Sequence, residues 1–124
     1  MAKLLLAEDD AFSRDMLARR LTRHGYDVIT AADGRAALLA AREHRPDLIL
    51  MDLDMPVMNG RAALRSLKND LRTFRIPVIA LATEASVEEV SRAAVEGYHG
   101  WEAKPIVLRR LLLRIQEILG TKAN

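Results

Sequence analysis

Asp52 closes the apolar run Leu48-Ile49-Leu50-Met51 and opens the turn Leu53-Asp54-Met55-Pro56. A first run, Lys3 to Ala7, leads into Glu8-Asp9-Asp10, and a later segment ends at Lys104-Pro105. Open α/β sheets place their chemistry at such carboxyl ends of buried strands. If these strands lie side by side, Glu8, Asp9, Asp52 and Lys104 converge at one edge. Clustered carboxylates repel one another unless a cation offsets the repulsion. Mg²⁺ suits the cluster, being hard, oxygen-seeking and content to keep several waters. A backbone carbonyl from the turn after Asp52 and phosphate oxygens would complete its shell. A carboxylate can attack a phosphoryl donor to form an aspartyl phosphate, and Asp52 is the candidate nucleophile because it stands at the centre of the cluster. Lys104 would neutralise the incoming phosphoryl group. Taken singly, the acidic tripeptide also reads as a solvated loop and Lys104 as a strand cap. The joint pattern, with Pro56 and Gly60 shaping the turn, favours a site.

The elements that must position these residues follow from periodicity. Strands are predicted over Lys3 to Ala7, Tyr26 to Thr30, Leu48 to Met51 and Ile76 to Leu81, with a weak one over Tyr98 to Ala103. Between them lie segments of helical period. Phe12 to His24 carries Phe12, Met16, Leu17 and Leu21 and is closed by Gly25. Asp33 caps a helix to about His44, with Ala37, Leu38 and Ala41 on its apolar side. A helix from Gly60 to about Asp70 runs through Ala63, Leu64 and Leu67. Ser86 and Glu89 form a capping box for a helix to Glu96. The last helix, about Val107 to Leu119, turns Val107, Leu108, Leu111, Leu112, Ile115 and Leu119 to the core. Regular βα alternation implies an α/β fold: a doubly wound parallel sheet of five strands with helices on both faces.

The 124 residues, half of them apolar and 29% charged, fit one domain over residues 1–124. Its ordered core is expected over about 3–119, with 120–124 a frayed tail. No apolar stretch approaches the roughly 18 residues of a membrane span, so membrane insertion is not expected. The lack of cysteine excludes thiolate chemistry and fits the cytoplasm. The three histidines are too scattered for a histidine-rich metal site. With a net charge of +2 and arginines spread thinly, the chain lacks the clustered patch that nucleic-acid binding needs.

These residues resemble the receiver domain of two-component response regulators over nearly the whole chain. Glu8 and Asp9 match the family's acidic pair, Asp52 its phosphoacceptor, Asp52 to Gly60 its Asp-x-x-Met-Pro-x-Met-x-Gly signature, and Lys104-Pro105 its Lys-Pro pair. The resemblance implies a (βα)5 flavodoxin-like fold with strand order 2-1-3-4-5. It also implies Mg²⁺ held by Glu8, Asp9, Asp52 and the Asp54 backbone carbonyl, a cis bond before Pro105, and Lys104 on the phosphoryl group. Mg²⁺-dependent self-phosphorylation from donors and slow autodephosphorylation come with it. A histidine kinase or histidine phosphotransfer protein would be the donor, docking on the first-helix side with Phe12, Arg14, Asp15 and Arg19. As the sequence ends after the receiver, no output domain is expected. The chain would then act on a downstream target protein, as a monomer or weak homodimer.

One position departs sharply from the family. Ala82 stands where receivers carry the Thr or Ser whose hydroxyl bonds a phosphoryl oxygen, and Thr83 follows it. Adjacent strand residues point to opposite faces, so only a bulge would deliver the Thr83 hydroxyl. Trp101 matches the aromatic switch position. Glu102 replaces a commonly apolar residue, and it implies an exposed or mobile fifth strand unless it is paired. Asp54 and Glu84 match the positions that tune phosphoryl lifetime. The family's output surface would include Glu88, Arg92, Glu96, Trp101, Arg109 and Arg110. The alternative to a phosphoaccepting receiver is a receiver-like binding module whose output is weakly coupled to, or independent of, phosphorylation. A metal-dependent hydrolase has neither a separate general base nor a substrate cleft to support it.

Overall fold

The computed structural model describes residues 1–83 and 98–120. Five parallel strands, β1 (Lys3–Ala7), β2 (Asp27–Ala31), β3 (Leu48–Asp52), β4 (Val78–Ala82) and β5 (Gly100–Ala103), form one sheet in the order β2-β1-β3-β4-β5. The described helices are α1 (Ala11–Arg23), α2 (Gly34–His44), α3 (Gly60–Lys68) and α4 (Leu108–Leu119). None of them is long and apolar enough to cross a membrane. The helix expected over Ser86 to Glu96 and the tail 121–124 lie outside the described residues.

Alternation along the central strands divides the apolar side chains between two cores. Leu5, Ala7, Ile49, Met51, Val78, Ala80 and Ala82 meet Ala37, Leu38 and Ala41 of α2 and Ala63, Leu64 and Leu67 of α3. Leu4, Leu6, Leu48, Leu50, Ile79 and Leu81 meet Leu21 of α1 and Leu111 and Ile115 of α4. Both faces of β3 and β4 are therefore covered, and all five residues of each strand are buried. This is why these strands read as unbroken apolar runs. Each fully buried leucine contributes about 1.5–3 kcal/mol relative to exposure.

Side-chain caps begin three helices. Asp10, Asp33 and Asn59 accept hydrogen bonds from the N–H groups of Ser13, Ala36 and Ala62 at 2.8, 2.8 and 2.9 Å. Each satisfies an otherwise orphaned donor of a first turn. Pro77 precedes β4 rather than entering it, and β2 and β5 begin one and two residues later than predicted.

Two helices divide their apolar residues differently from the sequence expectation. On α1, Leu21 is buried, whereas Phe12 is 72% exposed and Met16 is 39% exposed. The core-facing stripe begins at Leu17 and Ala18. Val107 is the N-cap of α4 and is 49% exposed, while Leu108 packs on the core. The weak fifth strand is neither bare nor unsupported. Trp101 packs on the α2–α3 core, and Glu102 is buried on the opposite face.

Candidate functional site

The carboxyl ends of β1, β3 and β5 meet at one edge of the sheet, where they bring Glu8, Asp52 and Lys104 together. Glu8 leaves β1 with its N–H donating to the Ala31 carbonyl at 3.0 Å, which ties the acidic turn to β2. Its carboxylate accepts from the Asp10 N–H at 3.1 Å through Oε2 and lies 3.2 Å from Lys104 Nζ through Oε1. Asp52 ends β3 at 2% exposure. Oδ1 of Asp52 accepts from the Asp54 N–H at 3.0 Å, and Oδ2 accepts from Lys104 Nζ at 2.8 Å. Carboxylate oxygens of Glu8, Asp9 and Asp52 all lie within 4.8 Å of one another.

The local sequence explains this convergence. Gly60 opens α3 directly against β3, where a Cβ would lie 2.5 Å from the Asp52 carbonyl oxygen. The Gly60 N–H donates to Leu53 O at 3.1 Å and closes the loop after Asp52. Val57, in that loop, adopts a left-handed φ of 68°, a costly conformation for a β-branched residue. Lys104 is aligned by its own N–H, which donates to Ala82 O at 2.8 Å, and a cis bond joins it to Pro105.

Charge and burial oppose each other at this edge. Burial, reinforced by the Asp52 charge, holds the Glu8 carboxyl above its ordinary range, against the Asp10 N–H and the Lys104 ammonium. Burial also works against the Lys104 ammonium. The Asp52 hydrogen bond and charge, followed by those of Glu8, outweigh it and raise Lys104 above its usual value. One lysine cation between two buried carboxylates balances them only in part, and Asp9 adds a third carboxylate at the solvent side.

The donor set fits a hard divalent cation. Oxygens in one Mg²⁺ shell lie about 3–4 Å apart, close to the 4.8 Å limit that contains the three carboxylates here. Glu8 and Asp52 are buried and Asp9 is exposed, so the cluster opens to water on one side. A cleft of about 510 Å³ beside it is lined by Ser13, Met16, Leu17 and Arg20 of α1, by Leu81, and by Ile106 and Leu108 beyond Pro105. Glu8 and Lys104 also line it.

The family model of the response regulator receiver domain matches residues 4–116. The chain belongs to that family. This receiver is 36% identical over 125 residues to the transcriptional regulatory protein PrrA of Mycobacterium tuberculosis, covering 98% of this chain and 52% of PrrA. It therefore spans about half the length of that relative. The chemotaxis response regulator CheY4 of Vibrio cholerae superposes with a TM-score of 0.88 at 37% identity, covering 96% of this chain and 99% of that one. The receiver domain of the sensor histidine kinase PA1611 of Pseudomonas aeruginosa, with a magnesium ion coordinated in its active-site cleft, superposes at a TM-score of 0.87. It is 31% identical, covering 96% of this chain and 98% of that one. Receiver domains typically use Mg²⁺ at an acidic pocket and receive phosphate from histidine kinases, and Glu8, Asp9 and Asp52 form an acidic cluster in this one.

Around the pocket, the other residues singled out in the sequence take distinct places. Ala82 is fully buried at the end of β4, in register with Ala103. Thr83, the next residue, is exposed. Trp101 is partly buried, paired in register with Ala80. Asp54 and Pro56 are exposed beside Asp52, and Arg109 and Arg110 lie on the exposed side of α4. Glu84, Glu88, Arg92 and Glu96 lie outside the described residues.

Three features of this receiver's site were missed in the sequence. Asp10 is a helix cap, which its spacing to Ser13 could have revealed. Arg14 reaches back to the carbonyls of Glu8 and Asp9. Glu102 is buried and pairs with Arg114 at 2.6 Å, so β5 carries the costly buried carboxylate with its charge partner supplied by α4. No local signal announces the last two.

Proposed function

We propose that this receiver accepts a phosphoryl group from a phosphohistidine protein on Asp52, with Mg²⁺, and signals or relays by contact with another protein. The observation that carries this reading is the position of Asp52. It is a buried carboxylate at the centre of the acidic cluster, with Lys104 Nζ 2.8 Å from one of its oxygens.

Glu8, Asp9, Asp52 and the Asp54 carbonyl would hold Mg²⁺, which when bound supplies positive charge against the phosphoryl oxygens. An Asp52 carboxylate oxygen attacks phosphorus as the phosphorus–nitrogen bond breaks, and the bonding electron pair returns to the imidazole. Lys104 would remain with the added negative charge once Asp52 carries the phosphoryl group as an acyl phosphate. The Asp54 N–H orients the Asp52 carboxylate for attack. The donor approaches over α1, where Phe12 is exposed and the cleft beside Glu8 and Lys104 is open. Asp54, exposed next to Asp52, would orient a hydrolytic water and so tune the lifetime of the phosphoryl group.

Mass spectrometry after incubation with Mg²⁺ and a small phosphodonor tests the reading. Wild type is expected to gain one phosphoryl group and Asp52→Asn none. An unmodified wild type at saturating donor overturns it.

Ala82 supports a second reading, in which output is weakly coupled to phosphorylation. Its buried methyl group offers no hydroxyl to a phosphoryl oxygen. The β4 register runs without interruption to Ala82, which favours no bulge that would turn Thr83 inward. Under this reading, Ala82→Thr enlarges the phosphorylation-dependent change in Trp101 fluorescence. Equal changes in the two proteins would remove it.

A further inference from the structure

The acidic turn that ends β1 is held from behind by a residue with no part in the chemistry above. Arg14, one turn into α1 and half-buried, donates from one guanidinium nitrogen to the Glu8 carbonyl at 2.9 Å and to the Asp9 carbonyl at 3.4 Å. The same helix start holds the turn twice more. Asp10 caps Ser13 N–H with its side chain, and its carbonyl accepts from the Arg14 N–H at 2.9 Å. With Glu8 N–H tied to Ala31 O, each of the three peptide planes flanking Glu8 and Asp9 is held by a hydrogen bond.

We infer that Arg14 is a positioning residue for the divalent cation, orienting the Glu8–Asp9 turn through its carbonyls. This rests on the reading of Glu8, Asp9 and Asp52 as the cation site. Two effects of Arg14 oppose each other. Its positive charge, one helical turn from the cluster, repels an incoming cation. Its hydrogen bonds spare the site the cost of ordering two ligands at the moment of binding, and groups that orient metal ligands commonly contribute about 10–100-fold in affinity. The charge is screened because the site opens to solvent at Asp9, so orientation outweighs repulsion.

Titration calorimetry with magnesium chloride alone, on the folded full chain, separates the two effects. Arg14→Ala is expected to bind about 10-fold more weakly than wild type. Arg14→Gln, which keeps a donor without the charge, and Arg14→Lys, which keeps the charge on a single point donor, are expected to fall between the two. Amide exchange at Asp9 and Asp10 in the metal-free protein should quicken in the same order. If Arg14→Ala and Arg14→Gln bind as tightly as wild type or tighter, the guanidinium acts only as a like charge and the inference is overturned. Should Arg14→Ala fail to fold, the Gln and Lys variants decide the sign. Absence of magnesium binding by wild type would overturn the cation site itself, a result distinct from equal binding by all the proteins.

Discussion

Glu102 on β5 and Arg114 on α4 meet at 2.6 Å across the sheet–helix interface, the glutamate side chain 3% exposed and the arginine side chain 35% exposed. Gly100 makes room for the contact, since a Cβ there would lie 2.9 Å from Arg114 Cδ. β5 is a four-residue edge strand of poor propensity, Gly-Trp-Glu-Ala. On one face Trp101 anchors it by packing, and on the other this ion pair does.

Removing one member of such a pair strands the other. Arg114→Leu is expected to cost about 3 kcal/mol, the lower end of the range for broken buried pairs, because the arginine is partly solvated. Glu102→Leu combined with Arg114→Leu should cost clearly less than Arg114→Leu alone. Urea unfolding of the two single variants and the double variant measures the coupling. Additive costs would contradict it.

Alanine for glycine usually favours a helix by about 1 kcal/mol. At Gly60 the sign should reverse, because the added Cβ meets the backbone of Asp52 and Leu53, which cannot swing aside. Gly60→Ala is expected to lose about 1–3 kcal/mol in stability and to slow phosphorylation by displacing Asp52. Chemical denaturation and phosphorylation kinetics would each register the change.

Val57 offers a gain. Its left-handed backbone is strained for a β-branched residue, and the side chain is 77% exposed with little packing to lose. Asparagine tolerates that conformation, so Val57→Asn should stabilise the protein by about 1 kcal/mol. The rise would be read as a higher urea midpoint with unchanged slope.

Lys104→Met removes the cation between Asp52 and Glu8. The rate of Asp52 phosphorylation from a small donor should fall by about 10²–10³. An unaltered rate would exclude Lys104 from charge compensation in the transfer.

Asp70 couples α2 to the segment after α3. The Arg72 side chain and N–H, and then Arg42, hold its carboxyl well below the ordinary range. A depressed folded-state value stabilises the protein above the unfolded value of about 3.9. That contribution is lost as the pH falls from there through the folded value. Wild type should therefore lose its advantage over Asp70→Asn below about pH 4, while above it the difference stays flat. Urea midpoints of both proteins across the acid range test this.

Much of this protein is legible without coordinates because the relevant signals are local. Short apolar runs and period-3.6 patterns, with Asp33 before one helix and Gly25 after another, report which segment forms which element. In a parallel α/β sheet the strand ends then share one edge, so Glu8, Asp9, Asp52 and Lys104 could be grouped from their positions alone. Ala82 could likewise be seen as a missing hydroxyl.

Tertiary structure decided which faces met which. Phe12 and Leu21 both fit the apolar stripe of α1, but only Leu21 lies over the sheet. Glu102 read as a penalty on β5 until α4 brought Arg114 beside it, and Arg42 finds Asp70 from a different helix. Arg14 read as a surface arginine on the donor side, yet its guanidinium turns back to the Glu8 and Asp9 carbonyls. Sequence spacing specifies period and therefore element. The partner of a buried charge depends on which neighbouring element reaches it, and that is settled only when the helices pack on the sheet.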